Sequence, residues 1–182
     1  VLHSYFFNLE ESKTMKKKIA LVAMAAFAVG AQAADWSDTS IAYSTGTNYK
    51  DPYTAGGDTI AKNIYSLKNV SGDKFGQNFF NADMLQSGGN DEGAQEVYVV
   101  YRRLFDLQKI TGKSYAFGPV KNVGITAGFD WNTKNDTGYA SKKRMLVAGP
   151  TLMIDVPQGF FDISLLMLNE SNDPVTASRF GY

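Results

Sequence analysis

The amino-acid sequence predicts an all-β fold, in the form of one antiparallel β-barrel of about seven strands. Apolar and polar residues alternate along most of the chain, as they do in strands that have one apolar and one polar face. Beyond a short apolar run near the start, no segment has a convincing helical period, and short turns alternate with longer polar loops. The chain has 182 residues, of which 44% are hydrophobic, and this content excludes intrinsic disorder.

Residues 1–33 carry the features of an export signal. Met15 is followed by three lysines, by the apolar run Ile19–Val29 and by the small residues Gly30–Ala33. These parts predict a secretory signal peptide over 15–33, helical in its apolar part and cleaved after Ala33. A short buried helix is the alternative, but the lysines and the A-x-A ending argue against it. Residues 1–14 precede the Met, and we interpret them as an upstream extension of the reading frame.

The remaining domain, 34–182, lacks several kinds of reactive side chain. The whole chain has 18 basic and 18 acidic residues, one His and no Cys. The one His of the chain is His3, which precedes the signal peptide, so the domain contains no histidine. It therefore lacks the commonest general base and the commonest transition-metal ligand. The lack of Cys excludes disulfide frameworks and thiol catalysis. We therefore expect no enzyme activity, no metal and no cofactor, and the zero net charge gives no reason to expect nucleic-acid binding.

The alternation of side chains places the strands. They are predicted at 36–45, 59–71, 74–86, 94–107, 120–134, 141–155 and 160–170. In 94–107, Val97, Val99 and Tyr101 share one parity, whereas Glu96, Tyr98 and Arg102 share the other. The corresponding apolar sets elsewhere are Phe80, Ala82 and Met84, then Val123, Ile125, Ala127, Phe129 and Trp131, and finally Phe161, Ile163, Leu165 and Met167.

The lengths of strands and connections favour a membrane barrel. Strands of about 10–14 residues exceed the usual length of about 5–6 and match the roughly 9–11 that cross a bilayer. Tight turns are predicted at 71–74 and 156–159, and longer polar loops at 45–58, 87–93 and 135–139 and from Asn169 onward. Short turns on one side and long loops on the other are typical of outer-membrane barrels. The long connection at 108–119, on the turn side, is an exception.

Aromatic residues gather near both ends of the strands. Those at the turn end are Trp36, Phe105, Phe160 and Phe161, and those at the loop end are Tyr43, Phe129 and Trp131. Two aromatic bands at the two water interfaces are expected of a membrane barrel. A soluble barrel or sandwich is the alternative, because aromatic residues also fill soluble β-cores.

Five groups of residues carry a resemblance to a known family. They are DWSDTS at 35–40, AQEVYVVYR at 94–102, GFD at 128–130 with NTKND at 132–136, SKKRML at 141–146 with GPTL at 149–152, and LL at 165–166 with ESN at 170–172. In this order they resemble the nucleoside-specific channel family of the Gram-negative outer membrane.

The resemblance implies a fold, a location and a function. The fold is a twelve-stranded antiparallel barrel in the outer membrane, exported through the periplasm, with a narrow pore through which nucleosides diffuse passively. Its surroundings are outer-membrane lipid and lipopolysaccharide, and bacteriophages or colicins commonly use the outer loops of such proteins as receptors. Because this chain supplies about seven strands, we interpret its barrel as C-terminally incomplete.

The parity that would face the pore carries the candidate binding residues. A nucleoside has a flat base and a polar sugar, so its site needs aromatic faces beside hydrogen-bonding groups. The candidates are Phe79, Asn81, Asp83, Glu96, Tyr98, Arg102, Asp130, Asn132, Lys134, Lys143 and Asp162. We expect Phe79 and Tyr98 to stack on the base while the ionisable groups hold the sugar. Opposed charge rows across the pore are expected from Glu96, Arg102, Asp130 and Lys143.

Two readings compete with this assignment of roles. Charges of both signs on neighbouring strands can brace a small barrel without touching any solute. A slip of the register by one residue would put Phe80 in place of Phe79.

Two other functions stay open at this stage. One is a soluble periplasmic barrel that binds a ligand, in which Phe161, Ile163 and Leu165 would pack inward. On a membrane channel the same residues would face lipid. The other is an outer-membrane barrel enzyme, such as a lipase or acyltransferase, and the absence of His from the domain counts against it.

Overall fold

The structure, a computed structural model, describes residues 34–50, 59–88, 91, 93–135 and 140–172. The upstream extension and signal peptide predicted at 1–33 lie outside the described residues. Much of the loops predicted at 45–58 and 135–139, and the end of the tail beyond 172, also lie outside them.

The described part of the chain is mainly β-strand. The strands are β1 (Trp36–Lys50), β2 (Thr59–Asp73), β3 (Gly76–Ser87), β4 (Gln95–Asp106), β5 (Val120–Asn135), β6 (Lys143–Ile154), β7 (Phe161–Ser164) and β8 (Met167–Asn172). One short helix, α1 (Leu107–Thr111), follows β4. The predicted all-β class is confirmed, and α1 lies in the long connection that the sequence placed at 108–119.

Each strand pairs antiparallel with its successor from β1 to β6, and both β7 and β8 pair with β6. This order follows from the connections, because short links join antiparallel neighbours whereas parallel ones need long crossovers. Among the described residues the result is one open sheet, with β1 at one edge and the β7/β8 line at the other. Closure into a barrel and insertion into a membrane stay predictions.

The prediction of one continuous strand at 160–170 is wrong, because the strand is broken at Leu165–Leu166 into β7 and β8. The register is nevertheless continuous, since Thr151 pairs with Ser164 and Ala148 with Met167. The break faces Pro150, which has no backbone N–H to donate to the ladder. Pro150 accepts a hydrogen bond from the Leu165 backbone at 3.0 Å. The two strands therefore form one interrupted line.

The turn was expected at 71–74. In the structure it lies at Lys74–Phe75, which join β2 to β3. The reason is the Asp73 carboxylate, which accepts hydrogen bonds from the backbone N–H groups of Phe75 (2.8 Å) and Gly76 (3.1 Å). A carboxylate that satisfies the backbone of the next residues is a typical turn former. The first strand is also longer than expected, since β1 continues to Lys50 and includes residues 45–50, which were predicted to be loop.

No helix within the described ranges is long and apolar enough to span a membrane.

Gly149 lies opposite the break in the β7/β8 line. We expect that a larger residue cannot replace it without loss of stability. A Cβ at this position would lie 1.9 Å from the carbonyl oxygen of Leu165, so Gly149→Ala must push the two strands apart. We expect the variant to lose about 1–3 kcal/mol of unfolding free energy, as overpacked sites do. Urea unfolding in detergent micelles measures this loss. The adjacent exposed Ala148→Ser is the control, and equal midpoints for both variants would contradict the prediction.

Candidate functional site

All eleven candidate residues lie on one face of the sheet, which we call the inner face. Cross-strand partners point to the same side of a sheet, and side chains alternate along each strand. The ladder pairs Phe79 with Arg102 and Asp83 with Tyr98, and it pairs Tyr98 with Asn132. Continued across the sheet, the same register places on this face Phe79, Asn81, Asp83, Glu96, Tyr98, Arg102, Asp130, Asn132, Lys134, Lys143 and Asp162. Phe80 lies on the opposite, outer face. The role of the eleven candidates in lining a pore stays a prediction.

The two faces differ in exposure. On the inner face, Thr151 is 1% and Met153 3% exposed, whereas on the outer face Ile41 and Met167 are each 83% exposed. Residues from β2 to β7 line one cavity. Five strand spacings in a flat sheet would span about 24 Å, so this part of the sheet curves toward its inner face.

The centre of the inner face is held by an ionic cluster around Asp130. Its carboxylate accepts hydrogen bonds from the Arg102 guanidinium at 2.5 Å and from the Tyr98 hydroxyl at 3.3 Å. Both partners come from β4, and Asp130 lies diagonally across from each of them on β5. Gly128 faces Arg102, and a Cβ there would lie 2.9 Å from the Arg102 Cδ. The glycine therefore leaves the room in which the guanidinium reaches Asp130.

Other polar residues of the inner face are also paired with neighbours. The Asn132 amide donates to Glu96 and its oxygen accepts from the Ser141 hydroxyl. Asp83 accepts from Ser66 at 2.6 Å and from the Asn81 amide at 2.9 Å. Lys134 pairs with Asp91 at 3.0 Å, and Lys143 approaches Glu170 at 4.0 Å. Most of these side chains therefore connect adjacent strands.

The described sheet shows how these charges are paired on one wall. Arg102 and Asp130 pair on adjacent strands, and Glu96 and Lys143 have neighbouring partners of their own. Such pairs form because a half-buried charge needs a close partner. The arrangement matches the alternative in which the charges brace the wall. The expected opposed rows of Glu96, Arg102, Asp130 and Lys143 across a pore stay a prediction.

The two candidate stacking residues are also separate. Phe79 pairs with Arg102 and Tyr98 with Asp83, so the two aromatic residues are four positions apart along the strand direction. At about 3.3 Å per residue this separates their backbones by about 13 Å along the strands. The expectation that both rings stack on one base stays a prediction.

A cavity of about 290 Å³ brings together Phe79, Arg102 and Asp162 of the candidate set. Its other polar and aromatic lining residues were not among the binding candidates, and they include Gln77, Thr126, Thr151, Phe160 and Ser164. Their parity was a usable signal, because Gln77, Thr126 and Ser164 alternate in phase with the candidates.

One wall of this cavity is a row of hydroxyl groups. Thr126 and Thr151 lie 2.6 Å apart between their hydroxyl oxygens, and Thr151 and Ser164 lie 2.8 Å apart. The row crosses β5, β6 and β7. Asp162 is half-buried beside it and makes no hydrogen bond with the described residues. A carboxylate, hydroxyls and two phenyl rings around one space can hold a small ligand that has both a ring and polar groups.

A second charged cluster lies at the β2–β3 turn. The Arg103 guanidinium makes two hydrogen bonds to the Asp73 carboxylate, at 2.8 and 2.9 Å. These bonds, with those from the backbone of the turn, lower the pKa of Asp73 below its ordinary value despite an opposing effect of burial. The paired carboxylate thus fixes the turn end of β2 against β4.

The lowered pKa of Asp73 predicts an acid-sensitive turn. A carboxyl with a lowered pKa in the folded state contributes stability above its ordinary pKa of about 4, and this is lost as the pH falls through the folded-state value. We expect Arg103→Gln to destabilise the protein by about 1–2 kcal/mol at pH 7 and much less at pH 2. Urea midpoints at the two pH values measure this. Asp155→Asn, at an exposed site, is the control, and a pH-independent effect of Arg103→Gln would contradict the prediction.

No group of three or more potential metal ligands occurs among the described residues. Comparison with protein families, with curated proteins and with solved structures gives no match.

Proposed function

We propose that this sheet is the wall of an outer-membrane channel through which nucleosides diffuse passively. The observation that carries the proposal is the difference between the two faces of one sheet. The outer face exposes large apolar side chains along every strand line, among them Ile41, Tyr65, Met84, Ile125, Leu146, Ile163 and Met167. The inner face holds paired charges and hydrogen-bonded polar groups.

The exposed outer face supports a membrane location over the soluble alternative. Large apolar side chains exposed on so many strands are unfavourable in water and unusual for a soluble monomer, whereas a bilayer accommodates them. In a soluble barrel Phe161, Ile163 and Leu165 would pack inward. They are instead 54%, 50% and 79% exposed, and the first two point to the outer face.

Strand length supports the same location. β1, β2 and β5 have 15, 15 and 16 residues, against the usual length of about 5–6 in soluble sheets. A tilted strand needs about 9–11 residues to cross the hydrocarbon core, so these strands cross it and extend beyond it.

The nucleoside preference is supported by the cavity and by the family resemblance. Phe79 and Phe160 offer ring faces for a base, and Gln77, Asp162 and Ser164 offer hydrogen-bonding groups for a sugar. The cavity is open to solvent, and a channel benefits from weak binding because the solute must leave again. Tyr98, about 13 Å away, provides a second and separate ring.

The orientation of the two faces is testable by single-cysteine labelling. The chain has no native Cys, so Leu146→Cys and Met145→Cys each introduce one thiol, on the outer and inner face respectively. We expect a nitroxide at position 146 to respond to oxygen dissolved in the bilayer and one at 145 to respond to a water-soluble nickel chelate. Electron paramagnetic resonance in liposomes measures both. A response to the nickel chelate at position 146 and to oxygen at position 145 would contradict the membrane assignment.

The stacking role of Phe79 is testable by solute flux. Base–aromatic stacking is worth about 1–3 kcal/mol, so Phe79→Ala should lower adenosine flux at low concentration by about tenfold relative to arabinose. Liposome swelling or tracer uptake with the purified chain measures the ratio. Phe80→Ala, the adjacent residue on the outer face, is the control. An unchanged adenosine-to-arabinose ratio in Phe79→Ala would remove the stacking role.

A further inference from the structure

Lysines and exposed apolar side chains lie together at the turn end of the sheet. We call this group the turn-end rim and define it as Lys74 and Phe75 of the β2–β3 turn with Lys109, Ile110, Lys113 and Phe117 of the β4–β5 connection. Phe75, Ile110 and Phe117 are 46%, 48% and 58% exposed, and the three lysines are exposed as well.

The rim is held together by contacts between the two connections. The Lys109 ammonium donates to the carbonyl oxygen of Asp73 at 3.0 Å, and the backbone N–H of Asp106 donates to the carbonyl oxygen of Phe75 at 2.9 Å. These bonds hold α1 beside the turn. The Lys74 ammonium lies 4.8 Å from the centroid of the Phe75 ring, so cation and ring are presented side by side.

The acidic residues nearest the rim are engaged with other groups. Asp73 is paired with Arg103, and Asp106 accepts from the Lys109 backbone N–H at 3.0 Å and from the Asn122 amide. Lys74 and Lys113 therefore present their charges without an ion-pair partner in the part of the chain that the structure describes.

We propose that the turn-end rim binds the headgroups of anionic phospholipids in the leaflet that meets this end of the sheet. Exposed aromatic and apolar side chains settle at the level of the headgroups, and lysines near the surface are attracted to anionic lipid. The proposal rests on the proposed function only in that a membrane-spanning sheet places its turn end at this interface. It adds a lipid partner that the solute site does not require.

The test compares lipid retention by wild-type protein and by Lys74→Gln/Lys113→Gln. These lysines are chosen because their side chains make no hydrogen bond with the described residues, so their removal leaves the contacts of Lys109 intact. The purified full-length chain in neutral detergent is titrated with phosphatidylglycerol or phosphatidylcholine, and bound lipid is counted by native mass spectrometry. Each charge removed should lower the preference for phosphatidylglycerol by about fivefold, and the double variant by about 25-fold. The control is Lys142→Gln, an exposed lysine at the opposite end, which should behave as wild type.

Three outcomes overturn the proposal. They are an unchanged preference in the double variant, an equal loss in Lys142→Gln, and displacement of phosphatidylglycerol by inorganic phosphate at equal concentration, which would indicate a site for free anions. If the double variant does not fold, Lys113→Gln alone gives the same decision with about a fivefold change.

Adenosine flux measured on the same preparations separates the two proposals. Loss of lipid preference with normal flux supports the rim, whereas wild-type protein that retains phosphatidylglycerol but passes no adenosine contradicts only the solute channel.

Discussion

A single β-sheet without a second layer can shelter only the face around which it curls. Every other feature of the described chain depends on this constraint. Polar side chains such as Thr151 and Asn132 are buried, and within the described ranges it is neighbouring strands that bring their inner-face groups together. Apolar side chains such as Ile41 and Leu146 are left exposed on the outer face, whereas Leu104, Val147 and Met153 are buried on the inner face beside the polar groups.

The same constraint decides what the charged residues do. Asp130 is held by Arg102 and Tyr98. Arg102 also donates to the backbone carbonyl oxygens of Tyr101 and Phe129, so both charged groups are satisfied on the inner face. The first effect of the Arg102–Asp130 ion pair is to fix the position of β4 against β5. The groups that keep capacity for a solute are the rings of Phe79 and Phe160 and the carboxylate of Asp162, toward the turn end. Bracing and the proposed solute binding thus fall to different residues of one face.

The sequence was sufficient to predict the all-β class, the approximate strand positions and the face on which each candidate lies. Alternation alone carries that information, as in Glu96, Tyr98 and Arg102. It could not predict that Asp130 lies diagonal to both Tyr98 and Arg102, or that Phe79 lies four positions from Tyr98, because both depend on the register between strands. The break between β7 and β8 was readable in part, since Pro150 lacks the N–H that a ladder needs. The exact position of the β2–β3 turn depended on the Asp73 carboxylate.

The alternating direction of the strands has a topological consequence. Counting β7 and β8 as one line, β1 and that line are separated by five strands, each antiparallel to the next, so the two edges of the sheet point the same way. Two edges that point the same way cannot join each other in an antiparallel ladder. Any wholly antiparallel cylinder that contains this sheet must therefore insert an odd number of strands at the seam, and its total is even, as in bacterial single-chain outer-membrane barrels.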